Sequence, residues 1–255
     1  MVELKSDRSI DEMRAAGRVV AHALAAVRDR AGVGVSLLEL DRVAREVLRE
    51  AGAASPFLGY RPPFAPVPFP GVVCASVNDA IVHGIPDGYL LRDGDLVSID
   101  CGATLGGWVG DAAVSFTVGR ARPADLRLIG TAEAALAAGI AAARPGNRVG
   151  DIAHAIGTVC RAAGYGIPDG FGGHGVGRSM HEEPGVPNEG PAGKGTKLRA
   201  GMVIAIEPML IAGGTDDYTC DADGWTLRTV DGSRAAHAEH TVAITADGPR
   251  ILTAL

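Results

Sequence analysis

Two aspartates, Asp100 and Asp111, flank a Thr-Leu-Gly-Gly turn signal bordered by apolar runs. They are symmetric about the midpoint between Leu105 and Gly106, so a hairpin centred there sets them directly opposite one another on one face. Opposed side chains in such a ladder have Cβ atoms about 4.5–5.5 Å apart. Carboxylates that close repel unless positive charge sits between them. Two divalent cations about 3.5–4 Å apart answer that need. Taken alone, the pair is better read as two solvated turn residues, because Asp is common in turns.

Other residues add weight to the metal reading. Glu207 ends the apolar run Met202–Ile206, where a charged residue is rarely buried without a partner, and Pro208 then stops the ladder. Glu239 stands at the start of another strand-like run. The segment Gly170 to His181 supplies His174 and His181 among glycines, and His83 lies in the turn-prone Val-His-Gly-Ile-Pro. Gly170, Gly172 and Gly175 formally spell a dinucleotide fingerprint, but Glu-Glu-Pro-Gly-Val-Pro follows in place of a helix. His181-Glu182 also lacks the second histidine of an H-E-x-x-H zinc helix.

These residues need a scaffold. Ser9-Ile10-Asp11-Glu12 and Ser36-Leu37-Leu38-Glu39 are capping-box patterns, predicting helices that run to about Val27 and to near Gly52. Six prolines between Ser55 and Gly71 predict a loop. Strand-like runs follow at 72–77, 96–103 and 108–118. Helices are then predicted at 124–143 and 149–163, and strands at 202–211, 225–230 and 239–245. The order repeats itself. Gly34, Leu40 and Gly52 match Gly146, Ile152 and Gly164 at one offset of 112 residues. Gly94-x-Leu-Val-x-Ile-Asp100 matches Gly201-x-Val-Ile-x-Ile-Glu207, and Asp111-x-x-Val-x-Phe matches Glu239-x-x-Val-x-Ile. A duplicated chain is expected to bring its paired acids together at a pseudo-twofold axis.

Composition narrows the classes. A net charge of −6 argues against general affinity for nucleic acid or anionic membrane, and no apolar run reaches the length of a membrane span. The four cysteines form no C-x-x-C pair, which speaks against a zinc knuckle or redox motif and points to free thiols in the cytoplasm.

Together, Ser76-x-Asn78, His83-Gly-Ile-Pro86, Asp100, Gly110-Asp111, Gly173-His174-Gly-x-Gly177-Arg-x-x-His181-Glu-x-Pro184, Ile206-Glu207-Pro208 and Glu239-His240-Thr241 resemble a type I methionine aminopeptidase over nearly the whole chain. The resemblance implies an α+β fold, the pita-bread architecture. That is a central antiparallel sheet flanked by helices, with pseudo-symmetric halves at about 1–120 and 121–255 in a single catalytic domain spanning 1–255. It implies that Asp100, Asp111, His174, Glu207 and Glu239 ligate two divalent metal ions (Co, Mn, Fe or Zn), with Asp111 and Glu239 bridging. Glu207 would move the proton of the attacking water, His181 would stabilise the oxyanion, and His83 would contact the scissile nitrogen. Tyr60, Phe69, Cys74, Met180 and Trp225 would line an apolar pocket for the methionine side chain. Val109 and Ala238 depart from the pattern, standing where relatives commonly carry histidine and an aromatic residue.

The implied activity is removal of the initiator methionine from nascent chains whose second residue is small, by a cytoplasmic monomer able to dock transiently on ribosomes. Xaa-Pro peptidases share the metal ligands but usually carry a large additional N-terminal domain. The type II methionine enzymes carry an insertion between the His174 and Glu207 positions, which are joined by a short connection here. Catalytically silent, partner-binding relatives generally lose ligands, and all five are present. A phosphoesterase would need a basic clamp beside the acids.

Overall fold

The computed structural model describes residues 2–63 and 65–255; Met1 and Phe64, the latter within the proline-rich loop, lie outside the described residues. The first half contains α1 (Asp7–Arg30), α2 (Leu37–Glu50), β1 (Val73–Val77), β2 (Ala80–Val82), β3 (Leu96–Leu105) and β4 (Trp108–Thr117). The second half opens with α3 (Pro123–Ala142), α4 (Val149–Ala162), β5 (Gly172–Gly175), β6 (Glu182–Pro187) and β7 (Val203–Ile206). It closes with β8 (Met209–Ile211), β9 (Tyr218–Cys220), β10 (Leu227–Thr229), β11 (Ala235–His237), β12 (Glu239–Thr245) and β13 (Gly248–Ile251).

The second cap forms where expected, with the Ser36 hydroxyl accepting the N–H of Glu39, while the Glu39 carboxylate pairs with Arg30 and does not close the box. The first does not. Ser6 caps α1 by accepting the N–H of Ser9, so the helix begins three residues earlier than the pattern suggested. That start puts Asp7 in the first turn, where an acid complements the helix dipole.

The duplication is plain in the backbone. α2 and α4 are each 14 residues long and begin and end at the 112-residue offset. The matched glycines take the same left-handed turn: Gly34 and Gly146 at φ 85° and 96°, Gly52 and Gly164 at 66° and 77°, Gly94 and Gly201 at 85° and 91°. The main sheet runs β1-β3-β4-β12-β7-β5-β6, with β13 paired to β12. The pseudo-twofold falls between β4 and β12 and relates β3 to β7. Each half packs its helix pair on the sheet through its own apolar cluster. One is built around Val20, Leu24, Leu40 and Ile99, the other around Leu136, Ile152, Ile156 and Ile204.

The β3–β4 hairpin corrects one expectation. Its register pairs Leu105 with Trp108, so the turn is Gly106-Gly107, at φ 59° and 78°. A two-residue turn with both φ values positive takes a Gly-Gly pair readily, and this centres the hairpin one residue later than the symmetric estimate. Asp100 therefore pairs with Ala113 and Asp111 with Gly102. The two aspartates are diagonal neighbours, not direct opposites. They keep the same face because the register moved by two residues, a full pleat period.

Glycine also explains why β5 could form. A Cβ on Gly173 would lie 2.1 Å from the Ala205 carbonyl oxygen, and one on Gly175 would lie 2.3 Å from that of Glu183. Strand propensity argues against such a segment, yet its neighbours' backbones leave room for nothing larger. The same closeness governs α1 on β4, where a Cβ on Gly110 would come within 2.8 Å of Gly17 backbone atoms. Gly110→Ala should force α1 off the sheet and cost about 1–3 kcal/mol, the range for overpacking. Urea unfolding measures it, and an unshifted midpoint would show that the contact is not limiting.

Candidate metal centre and adjoining pocket

Five adjacent strands each deliver one carboxylate or imidazole to the same region. In sheet order, β3 carries Asp100, β4 Asp111, β12 Glu239, the end of β7 Glu207 and β5 His174. Asp100 and Glu239 both face Ala113 across their ladders, so a small side chain separates the two acids. Thr241 locks the centre of the row: its hydroxyl donates to the Asp111 carbonyl and accepts the Asp111 N–H, at 2.8 and 2.9 Å. At Pro208 the chain leaves the β7 ladder, and the Asn188 amide holds the Glu207 carbonyl at 3.0 Å.

Asp111 and Glu239 are 2% exposed, while Asp100 and Glu207 border the cavity. Among the described residues, their only ion-pair neighbours are histidines. Burial raises the Asp100 carboxyl to about 7 and that of Glu207 to about 8. Burial, then the neighbouring carboxylates, pushes Asp111 and Glu239 well above the usual range. Asp100 Oδ1, Asp111 Oδ1 and Glu239 Oε1 are buried without hydrogen-bond partners. Orphaned acceptors on clustered, uncompensated acids are what a cation site presents, so the donor set fits divalent metal. Asp111, His174 and Glu239 in particular offer donor atoms within 4.8 Å of one another.

His174 is oriented for ligation. Its Nδ1 lies 2.9 Å from the Gly175 carbonyl and must donate there, which leaves the Nε2 lone pair free. That Nε2 lies 3.5 Å from Glu207 Oε1 and 3.8 Å from Asp111 Oδ2. Burial lowers the His174 pKa to about 4, so the ring is neutral and able to bind metal at neutral pH.

A cavity of about 270 Å³ opens beside the acids, its wall including Tyr60, Phe69, Cys74, His83, Met180, His181 and Trp225. Every site residue singled out in the sequence is thus brought together there. His83 adopts φ 59°, a costly conformation for a residue with a side chain, and is held by its neighbours. Gly84 donates to Ser76 Oγ and accepts the Ala75 N–H. The ring packs edge-on to Phe171 and Trp225 and, with its pKa lowered to about 4 by burial, stays neutral. His181 reaches in from the rim, stacked on Tyr60 with its Nδ1 3.1 Å from the phenol oxygen, and its ring centroid is 4.3 Å from that of His174.

The proline-rich loop closes on itself. Gly59 donates to the Phe69 carbonyl and Phe69 to that of Tyr60, so both aromatics stay on the cavity however long the excursion between them. Trp225 Nε1 latches the loop by donating to the Val67 carbonyl at 3.0 Å. Cys74 pairs with Asp100 across β1 and β3. Burial, then the Asp100 charge, pushes its thiol well above the usual range. Val109 and Ala238 are buried core residues. Sequence reasoning passed over Phe57 and Phe171, which also line the cavity, and His237, buried beside Glu207. The one sequence signal for His237 is its position two residues before Glu239, on a strand too short to show a period.

The comparisons agree with this geometry. A model of metallopeptidase family M24 matches residues 11–246. The chain is 53% identical to methionine aminopeptidase 1 of Mycobacterium tuberculosis, covering 99% of this chain and 95% of that protein. It is 46% identical to the methionine aminopeptidase of Aquifex aeolicus, covering 100% and 99%. The crystal structure of a methionine aminopeptidase from Thermotoga maritima superposes with a TM-score of 0.95 at 38% identity, covering 100% of each chain. A prolidase from Pyrococcus horikoshii shares the fold alone, with a TM-score of 0.79 at 23% identity, covering 98% of this chain and 63% of its own. The observed architecture is the expected pita-bread fold.

The carboxylate cluster sets a pH dependence in metal-free protein. With Asp100 raised to about 7 and Glu207 to about 8, the folded state keeps protons that an unfolded chain releases above about 4. Stability therefore falls as pH rises through that span. His83 and His174, lowered to about 4, act in the opposite sense, but only below about 6.5, where an unfolded histidine protonates. Between about pH 6.5 and 8 the carboxylates act alone. The thermal midpoint in chelator should drop across that window, and saturating Mn²⁺ should raise it more at pH 8 than at pH 5.5. A rising midpoint would mean the acids ionise freely without metal.

Proposed function

The chain belongs to metallopeptidase family M24 and is a metal-dependent aminopeptidase of the methionine aminopeptidase kind, and we propose that it removes the initiator methionine from nascent chains whose second residue is small. The observation that carries this reading is the row of five donors on adjacent strands opening into an apolar, aromatic-walled cavity of about 270 Å³. A cavity that size, near the lower end of ligand pockets, suits one terminal side chain.

In this reading the two halves, about 1–120 and 121–255, form one catalytic domain. Asp100, Asp111, His174, Glu207 and Glu239 would hold two divalent ions (Co, Mn, Fe or Zn). Asp111 and Glu239, on the two strands flanking the pseudo-twofold axis, would be shared between them. Such a pair, when bound, polarises the scissile carbonyl and makes the attacking water more acidic. Tyr60, Phe69, Cys74, Met180 and Trp225 receive the methionine side chain, where aromatic edges favour a thioether. His83, neutral and fixed by its backbone, contacts the scissile nitrogen. Glu207, at the edge of the cluster, accepts the proton of the attacking water and returns it to the leaving amine. His181, held by Tyr60, stabilises the developing oxyanion. No helix among the described residues is long and apolar enough to cross a membrane. We place the enzyme in the cytoplasm as a monomer acting on emerging N-termini, with transient ribosome docking.

Two measurements test this. Protein loaded with Mn²⁺ or Co²⁺ should release methionine from Met-Ala-Ser and leave Met-Lys peptides intact; equal turnover of Xaa-Pro substrates would instead favour the prolidase-like activity. His181→Ala should lower kcat about 10²–10³-fold, as loss of one oxyanion donor does, while metal content stays at the wild-type value. Unchanged kcat would remove His181 from the reaction.

A further inference from the structure

A second histidine stands behind the acids, with no role assigned to it so far. His237 ends β11 and is 2% exposed. Its backbone is clamped: the N–H donates to Ser115 Oγ at 3.0 Å, and the carbonyl accepts from the same hydroxyl at 2.8 Å. β11 is paired to β8 through His237 and Met209, so the ring has a fixed mount. Nε2 lies 3.6 Å from Glu207 Oε2 and 4.0 Å from Glu239 Oε2. It is buried without a hydrogen-bond partner. His174 meets the other oxygen of the same carboxylate, Glu207 Oε1, at 3.5 Å. Glu207 is thus set between two imidazoles.

These distances discriminate. A histidine that merely hydrogen-bonds a carboxylate sits within about 3.2 Å of it, and 3.6 Å is too long. Two donors on one ion, each bonded at about 2.0–2.2 Å, stand up to about 4.4 Å apart. Both separations, 3.6 and 4.0 Å, fall inside that limit. Glu207, His237 and Glu239 also form a three-donor group with all ligand atoms within 4.8 Å of one another. A buried nitrogen with no protein partner, facing two acids at ligand spacing, needs something between them.

We propose that His237 is a further nitrogen ligand of the metal centre, binding the ion held by Glu207 and Glu239. This rests on the two-metal reading above. Its consequence is a centre of unequal halves. The ion nearer Asp100 has an oxygen environment, and the other gains imidazole, which shifts its preference towards Co²⁺, Fe²⁺ or Zn²⁺ over Mn²⁺.

The test uses metal-stripped full-length protein titrated with Co²⁺, followed by calorimetry and visible absorption. His237→Ala should weaken one binding step at least about tenfold and change the cobalt spectrum, as should His174→Ala. Wild-type affinity and spectrum in His237→Ala, with His174→Ala impaired, would overturn this proposal and leave the metal centre standing. Wild-type behaviour in both would overturn the metal centre with it. X-ray absorption of the unmodified cobalt protein needs no variant to fold. Scattering from two imidazoles supports the assignment, and scattering from one refutes it.

Discussion

Four closely set carboxylates repel one another, and the surrounding architecture exists to hold them together. Asp100, Asp111, Glu207 and Glu239 share one region of one sheet, with histidines as their only ion-pair neighbours among the described residues. Burial makes their ionised forms unfavourable, and each charge makes the next worse. Divalent cations remove both penalties together. The apolar clusters on the helical side supply the stability that lets the sheet hold such a group in place.

Holding the acids in register demands an unusually close backbone, and glycine provides it. β5 passes so near its neighbours that side chains at Gly173 and Gly175 would overlap carbonyl oxygens. That places His174 beside Glu207 and Asp111. The left-handed backbone at His83 serves the pocket in the same way, turning a ring into a space that an extended residue would miss. β5 is held by its strand ladders, and the His83 turn by Gly84, which donates to Ser76 Oγ and accepts the Ala75 N–H.

Duplication explains the pairing of acids, and departure from it explains the chemistry. Asp100 with Glu207 and Asp111 with Glu239 are equivalent positions across the axis between β4 and β12. The histidines beside the acids, His174 and His237, belong to the second half, as does Trp225, while His83 comes from the first. The first half contributes the proline-rich loop, latched to Trp225, and the aromatic wall formed by Tyr60 and Phe69. A symmetric frame therefore carries an asymmetric site, with nitrogen donors to one side and an apolar cavity beside it.

Whatever depends on local pattern and repetition could be read directly from the amino-acid order. The second helix cap, the helix pair repeated at a 112-residue offset, the matched left-handed glycines and the acids on matched strands were all legible. Each follows from side-chain period or backbone permissiveness within a few residues. The face shared by Asp100 and Asp111 was legible too, because side chains alternate with a period of two. Their pairing was not, since the preference of Gly106-Gly107 for the turn moved the register. β5 and β11 were invisible to propensity, one being mostly glycine and the other only three residues long. Both lie against the acids because neighbouring strands impose their conformation, which packing alone reveals. His237 shows the limit: nothing within its own segment marks it, and its significance lies in which carboxylates the fold brings to its ring.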